Sequence, residues 1–252
     1  MKGLEIRRRT LVVLVLYAVL LHVVAYWGVF KTNFIPLARK TLGLAPPEER
    51  NLQLYQSMLG WSERDRAVPD GAVVVLGDSL MARLDARALG PDVHVFALGG
   101  MTTHTLREAL PAVRSLARAR AIVLGVGVND AKYRDVQQIA SDYAGVLDAL
   151  PANIPVLAVP ILPVDASADA VRAKPYLDNA RLRELDTALR KVSEDRGNVL
   201  RLPIPDALVD GAGALRTEMH AGDGWHLSPE GSAVLAAALR AALEAPRIRS
   251  PR

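Results

Sequence analysis

The sequence has 252 residues, half of them apolar, so it can form one well-buried domain of roughly 180 residues plus an appendage. Its 31 lysines and arginines barely outnumber its 27 acidic residues, and no basic stripe with interleaved aromatic residues occurs, which argues against nucleic-acid binding. The lack of cysteine excludes disulfides, thiol catalysis and a cysteine-based zinc site. The histidines are scattered and lack a carboxylate cluster with ligand spacing, so we predict no metal and no cofactor.

An uncharged apolar stretch of 21 residues occupies positions 10–30. As a helix rising about 1.5 Å per residue it would cross the ~30 Å hydrocarbon core of a bilayer, so we predict a single transmembrane helix here. The preceding residues 1–9 are rich in arginine, which predicts a cytoplasmic N-terminus and places the rest in the periplasm or outside the cell, held to the inner membrane. A cleaved signal peptide is the alternative, although its apolar stretch is usually only about 7–15 residues long.

The remaining chain divides by composition. Residues 31–70 are predicted to form a tether and then a helix at 48–66, and residues 246–252 a basic tail. Between them, residues 71–245 alternate short apolar runs with longer runs of helical periodicity. We predict strands at 72–76, 93–98, 121–126, 155–161 and 198–202, and helices at 79–88, 103–117, 136–150, 175–194 and 229–243. This alternation is typical of a parallel sheet covered by helices on both faces, so the predicted fold is a flavodoxin-like three-layer α/β sandwich with strand order 2-1-3-4-5.

A candidate nucleophile follows the first predicted strand. The sequence Gly77-Asp78-Ser79-Leu80 places a serine in a tight turn between a strand and a helix. Such a serine lies at the carboxyl edge of the sheet, where open α/β folds bind ligands, and at a helix N-terminus that favours negative charge. The neighbouring Asp78 points elsewhere, so we expect it to hydrogen-bond within the turn.

A candidate base and its partner lie near the other end of the chain, in Asp223-Gly224-Trp225-His226. Because the acid and the histidine are three residues apart on a loop, the carboxylate can reach one imidazole nitrogen and leave the other for Ser79. The other histidines of the predicted domain have no such neighbour: His94, His104 and His220. His220 either lines the site or is solvated. Trp225 is either a pocket wall or a packing anchor.

Donors for an oxyanion are available after the next two strands. Gly99-Gly100 follows the second strand, and Asn129-Asp130 follows the third. A glycine amide and an asparagine side-chain amide are both suitable for stabilising an oxyanion. We expect Asp130 to fix its loop rather than take part in chemistry.

These segments together resemble the four ordered sequence blocks of the GDSL, or SGNH, hydrolases. The blocks here are Gly77 to Leu80, Gly100, Gly127 to Asp130, and Asp223 to His226. The resemblance implies a catalytic triad of Ser79, His226 and Asp223, and an oxyanion hole formed by the Ser79 amide, Gly100 and Asn129. In the second block, Leu98-Gly99-Gly100 lacks the asparagine often found before the glycine, so the donor is Gly99 or Gly100, with Gly100 the better match.

The sequence therefore predicts a membrane-anchored extracytoplasmic serine esterase that hydrolyses acyl esters, with a lipid or an acylated glycan as substrate. The alternative is an O-acetyltransferase or deacetylase of cell-envelope polysaccharide that uses the same triad, and a third hypothesis is an inactive hydrolase fold that acts as a binding or scaffold protein.

Overall fold

The computed structural model describes residues 2–26 and 52–245, with side chains described from residue 10 in the first segment and from residue 56 in the second. The chain divides into two compact units, Met1–Leu52 and Gln53–Arg252. Most of the predicted tether, the basic tail and residues 27–30 of the predicted membrane span lie outside the described residues.

The described part of the first unit is one helix, α1, Lys2–Tyr26. Its apolar side chains from residue 10 onward are exposed, from Leu11, which is 62% exposed, to Tyr26, which is 54% exposed. Among the helices that the structure describes, none combines the length and the apolar character that crossing a bilayer requires.

Five parallel strands form the sheet of the second unit: β1 Val73–Gly77, β2 Val93–Ala97, β3 Ala121–Gly125, β4 Val156–Ala158 and β5 Val199–Arg201. Their order across the sheet is β2-β1-β3-β4-β5, which confirms the predicted order. The fourth strand ends earlier than predicted, ahead of Pro160, which has no N–H to give to the ladder.

The described helices of this unit are α2 Leu52–Leu59, α3 Trp61–Asp65, α4 Ser79–Ala82, α5 Thr103–Ala109, α6 Val136–Ala149, α7 Asp169–Arg172, α8 Asn179–Glu194 and α9 Pro229–Glu244. Several predicted helices are broken where the sequence supplies a stop. Pro111 ends α5 because it lacks an N–H and disfavours helix in the preceding residue, so two short 3-10 turns replace the rest of that predicted helix. Asp85 and Asp178 begin new turns by accepting hydrogen bonds from backbone amides.

Alternate side chains of the strands fill two separate cores, one on each face of the sheet. Val74 and Leu76 of β1 pack in the larger core with residues of α6 and α8, whereas Val73 and Val75 pack in the smaller core with α9. Trp61 of α3 is fully buried in the larger core, with its ring 5.5 Å from that of Phe96. The predicted three layers are therefore present, and Trp61 anchors the helix before the first strand on the domain.

Candidate active site

The turn after β1 is built around a glycine that no other residue can replace. Gly77 has a φ of +152°, and a Cβ atom there would lie 2.1 Å from the carbonyl oxygen of Gly125 in the adjacent strand. Asp78 then caps α4 by accepting a hydrogen bond from the Leu80 amide at 2.9 Å, as expected for a residue that hydrogen-bonds within the turn. Ser79 is consequently the first residue of α4, at the carboxyl edge of the sheet.

Three side chains from distant parts of the sequence meet at this edge. Ser79 Oγ lies 3.0 Å from His226 Nε2, and His226 Nδ1 lies 2.6 Å from Asp223 Oδ2. The other carboxylate oxygen of Asp223 accepts hydrogen bonds from the backbone amides of Trp225, at 3.1 Å, and His226, at 2.9 Å. Burial opposes ionisation of Asp223, but these hydrogen bonds outweigh it and lower its pKa. An ionised Asp223 holds the proton on Nδ1 and leaves Nε2 free to accept one from Ser79.

The predicted oxyanion donors lie on the two neighbouring loops. Asn129 begins a 3-10 turn after β3, and its side-chain amide donates one hydrogen bond to the Met101 carbonyl at 3.1 Å, which leaves its second N–H for another acceptor. Gly100 has a φ of +82°, and a Cβ atom placed on Gly99 would be 3.9 Å from the Ser79 Cβ. The glycine pair therefore borders Ser79, and Asn129 is tied to that same loop.

A buried carboxylate joins the second and third sequence blocks. Asp130 is completely buried and accepts hydrogen bonds from the Thr103 amide, at 3.0 Å, and from the Thr103 hydroxyl. This confirms that Asp130 fixes its loop. Burial raises the pKa of Asp130 to about 6 against the opposing effect of Thr103, and burial raises that of Asp78 to about 7 despite its hydrogen bond from Leu80. Neither carboxyl group touches the Ser79 hydroxyl through a described hydrogen bond.

A second histidine and carboxylate pair supports the loop that carries Asp223 and His226. His220 is 8% exposed, and its Nε2 lies 3.1 Å from Asp165 Oδ2. Its Nδ1 accepts hydrogen bonds from the amides of Gly222, at 3.0 Å, and Gly224, at 3.1 Å. Because Nδ1 accepts two N–H groups, the ring proton lies on Nε2 and is donated to Asp165.

Asp165 was not among the residues that the sequence singled out. It precedes α7, and its amide also donates to the Gly224 carbonyl at 2.8 Å, so it holds the loop of Asp223 and His226 through both backbone and side chain. Hydrogen bonds from Ser167 lower the pKa of Asp165 to about 2, and those from His220 and Thr217 act in the same direction. His220 is thus buried against this loop rather than solvated. Among the residues that the structure describes, no three histidine or carboxylate side chains are grouped to hold a metal ion.

Comparison with known proteins decides the family. The model of the GDSL-like lipase/acylhydrolase family matches residues 65–234. This range contains the turn of Ser79, the loops of Gly100 and Asn129, and the loop from Asp223 to His226. The chain belongs to this family. As a member of the GDSL-like lipase/acylhydrolase family it is a serine hydrolase that acts on esters.

Solved structures share the fold at low sequence identity. A protein from Streptococcus pneumonia described as a candidate platelet activating factor is 22% identical, with a TM-score of 0.68 over 75% of this chain and 92% of its own. A GDSL-like lipase from Bacteroides thetaiotaomicron is 17% identical, with a TM-score of 0.61 over 74% of this chain and 97% of its own. A carbohydrate acetylesterase family member from Sinorhizobium meliloti is 19% identical, with a TM-score of 0.52 over 71% and 98%, respectively. Among curated proteins, none matches the chain significantly.

Proposed function

We propose that this GDSL-family hydrolase cleaves acyl esters through a triad of Ser79, His226 and Asp223. The observation that carries the proposal is the continuous hydrogen-bonded line from the Ser79 hydroxyl through the His226 ring to the Asp223 carboxylate, at 3.0 and 2.6 Å. A serine hydroxyl is a weak nucleophile, and an adjacent oriented base is what activates it.

The reaction follows from the positions of these groups. His226 Nε2 takes the proton of Ser79 Oγ as the oxygen attacks the ester carbonyl carbon. The amides of Ser79 and Gly100 and the free N–H of Asn129 stabilise the negative charge that develops on the carbonyl oxygen. His226 then gives its proton to the departing alcohol. Water attacks the acyl-enzyme with His226 again as base, which releases the acid and restores Ser79.

Covalent labelling tests the nucleophile directly. A fluorophosphonate probe should modify Ser79 in the full-length protein, and mass spectrometry should locate the adduct there. The Ser79→Ala variant should show neither labelling nor hydrolysis of 4-nitrophenyl esters. Ser62→Ala, which changes an exposed serine on α3, is the matched control and should label and turn over normally. Absence of the adduct on Ser79 in the folded protein would leave only the binding or scaffold hypothesis.

A second candidate is supported by the likeness to the carbohydrate acetylesterase family member from Sinorhizobium meliloti. Here the same triad would remove acetyl groups from polysaccharide or pass them to a sugar hydroxyl in place of water. Incubation with an acetyl donor and an oligosaccharide distinguishes the outcomes, since a transferase gives acetylated oligosaccharide whereas an esterase gives free acetate. A series of 4-nitrophenyl esters of increasing acyl length would separate acetyl from long-chain specificity.

We further propose that the N-terminal segment holds the enzyme at the inner membrane with the hydrolase unit outside the cytoplasm. Support comes from the uncharged apolar sequence at 10–30 and from the basic residues that precede it. The test compares the full-length protein with a fragment that begins at residue 31. The full-length protein should sediment with membranes and resist extraction by alkaline carbonate, and the fragment should not. Equal release of both proteins by carbonate would contradict a membrane span.

A further inference from the structure

Two lysines beside the candidate active site form no ion pair with a carboxylate of the described residues. In the described part of the second unit, arginines form the ion pairs with carboxylates: Arg118 with Asp70, Arg134 with Asp142, Arg172 with Asp169, Arg196 with Asp148, Arg201 with Asp186, Arg216 with Glu218 and Arg240 with Glu244. The same part of the chain holds only three lysines: Lys132, Lys174 and Lys191. Lys132 and Lys174 instead place their ammonium groups over aromatic rings.

Lys174 is coupled to the catalytic loop through Trp225. Its Nζ lies 4.5 Å from the centre of the Trp225 ring, and the Trp225 ring lies 5.2 Å from that of His226. Nζ also donates to the Ala170 carbonyl at 3.2 Å, which holds this half-buried side chain against α7. Trp225 packs on the larger core, so the sequence alternatives of wall and anchor are not exclusive. The Lys174 ammonium therefore contacts the Trp225 ring, which in turn adjoins the ring of His226, the proposed base.

Lys132 lies on the neighbouring loop, three residues after Asn129. Its Nζ is 5.1 Å from the centre of the Tyr133 ring. Burial raises the pKa of the Tyr176 phenol, the Lys132 ammonium lowers it and Tyr133 raises it, which places these three side chains in one neighbourhood. Tyr176 is two residues from Lys174 along the chain, so the charge of Lys132 acts on the same loop that carries Lys174.

The mechanism indicates which part of the substrate meets these charges. In the proposed mechanism, Asn129 and Gly100 bind the carbonyl oxygen, whereas His226 must reach the oxygen of the departing alcohol. The ring that Trp225 adjoins is that of His226, so the Trp225 and Lys174 pair is next to the group that handles the alcohol portion of the ester. Water-exposed ammonium groups without acidic partners attract anions and discriminate against neutral groups.

We infer that Lys174, which lies over the Trp225 ring, and Lys132, which lies over the Tyr133 ring, form a binding site for an anionic group, a carboxylate or a phosphate, on the alcohol portion of the substrate. This inference rests on the proposed esterase function and names its substrate class. It predicts that acyl esters of acidic alcohols are cleaved more efficiently than neutral esters with the same acyl group.

Acetyl esters of phenols that carry a carboxylate, a phosphate or a neutral methyl ester group test this site. The full-length enzyme is assayed with 4-acetoxybenzoate and 4-acetoxyphenyl phosphate as anionic substrates, and with methyl 4-acetoxybenzoate as the neutral one. We expect kcat/KM to favour an anionic ester, and Lys174→Met or Lys132→Met to reduce that preference by about threefold to tenfold, mainly through KM. The two anionic esters separate a carboxylate site from a phosphate site. Rising salt should reduce the preference.

One control variant keeps the positive charge at position 174, and another removes a lysine that lies elsewhere on the surface. Lys174→Arg should keep most of the preference, and Lys191→Met, which removes an exposed lysine from α8, should leave it unchanged. Equal kcat/KM for anionic and neutral esters, or a preference that survives the double Lys132→Met and Lys174→Met variant, would overturn the inference while leaving the esterase function intact.

Binding without turnover separates the two proposals. Calorimetric titration of the Ser79→Ala variant with the same esters should show tighter binding of an anionic ester, and the lysine variants should remove the difference. If no ester is hydrolysed by the wild-type enzyme, the proposed function fails, and the titration alone decides the anion site.

Discussion

Replacement of His220 by alanine should disable the catalytic loop without touching the catalytic groups. The buried ring accepts two backbone amides, from Gly222 and Gly224, and donates to Asp165, at 3.0 to 3.1 Å. Each buried group left unpaired costs about 1–3 kcal/mol, and water that enters the vacated space keeps the cost near the lower limit. We therefore expect a loss of about 3 kcal/mol in the free energy of unfolding, with Tm lower by roughly 6–12 °C for a unit of this size.

The effect on catalysis should exceed what a loss of stability alone would give. Without the two glycine contacts, the loop no longer holds His226 at 3.0 Å from Ser79 Oγ. Misplacement of a catalytic group by about 1 Å can cost about 10²-fold, so kcat should fall by about that factor while KM for a 4-nitrophenyl ester stays close to the wild-type value. Kinetics are measured well below the Tm of the variant, and His94→Ala on β2 serves as a control because it lies outside this network.

Two conservative variants distinguish a positioning role from a purely structural one. His220→Asn retains an acceptor at the place of Nδ1, and His220→Gln retains a donor at the place of Nε2. Since Nδ1 holds the loop, the asparagine variant should keep more of the wild-type kcat than the glutamine variant at similar Tm. A glutamine variant with the higher kcat, or an alanine variant that is destabilised but fully active, would refute this role for His220.

Three further substitutions test other parts of the site. Asn129→Ala should lower kcat by about 10²- to 10³-fold with Tm little changed, measured by ester hydrolysis and thermal unfolding; an active variant would remove Asn129 from the oxyanion hole. Asp78→Asn tests the pKa of the Asp78 carboxyl group, which burial raises from 3.8 to about 7. Because the folded state holds the carboxyl proton more tightly than the unfolded state, the free energy of unfolding of the wild type falls as pH rises from about 4 to 7. Urea unfolding should therefore show the asparagine variant gaining stability relative to wild type at pH 8 compared with pH 5, and an unchanged difference would contradict an ionised buried Asp78. Gly224→Ala should lower Tm and kcat together, because Gly224 has a φ of +88° and a Cβ atom there would lie 2.6 Å from Val171 Cγ2; wild-type values for both would show that the loop can shift freely.

Local sequence patterns were sufficient to predict the sheet order and the meeting of Ser79, Asp223 and His226. Each of these residues lies in a short motif, and the βα alternation alone brings the motifs to one edge of the sheet. The Asp165 and His220 pair was not predictable in this way, because the partners are 55 residues apart and neither lies in a motif. Helix limits also differed where a residue that stops a helix interrupted the apolar periodicity. At Pro111 the missing N–H ends the helix, although the apolar residues Val113 and Leu116 beyond it are buried.

The short spacing of Asp223 and His226 has a consequence for how this enzyme can change. Both residues belong to one loop closed at its ends by a bond from the Ala221 amide to the His226 carbonyl and another from the Ser228 amide to the Met219 carbonyl. Asp223 and His226 therefore move together with this loop. A displacement of the loop separates both residues from Ser79 but leaves the hydrogen bond between them intact. Insertions on either side of the loop would leave the hydrogen-bonded pair of Asp223 and His226 intact. Sequence changes in the flanking segments can therefore abolish or restore activity by moving this pair relative to Ser79, without changing the catalytic residues themselves.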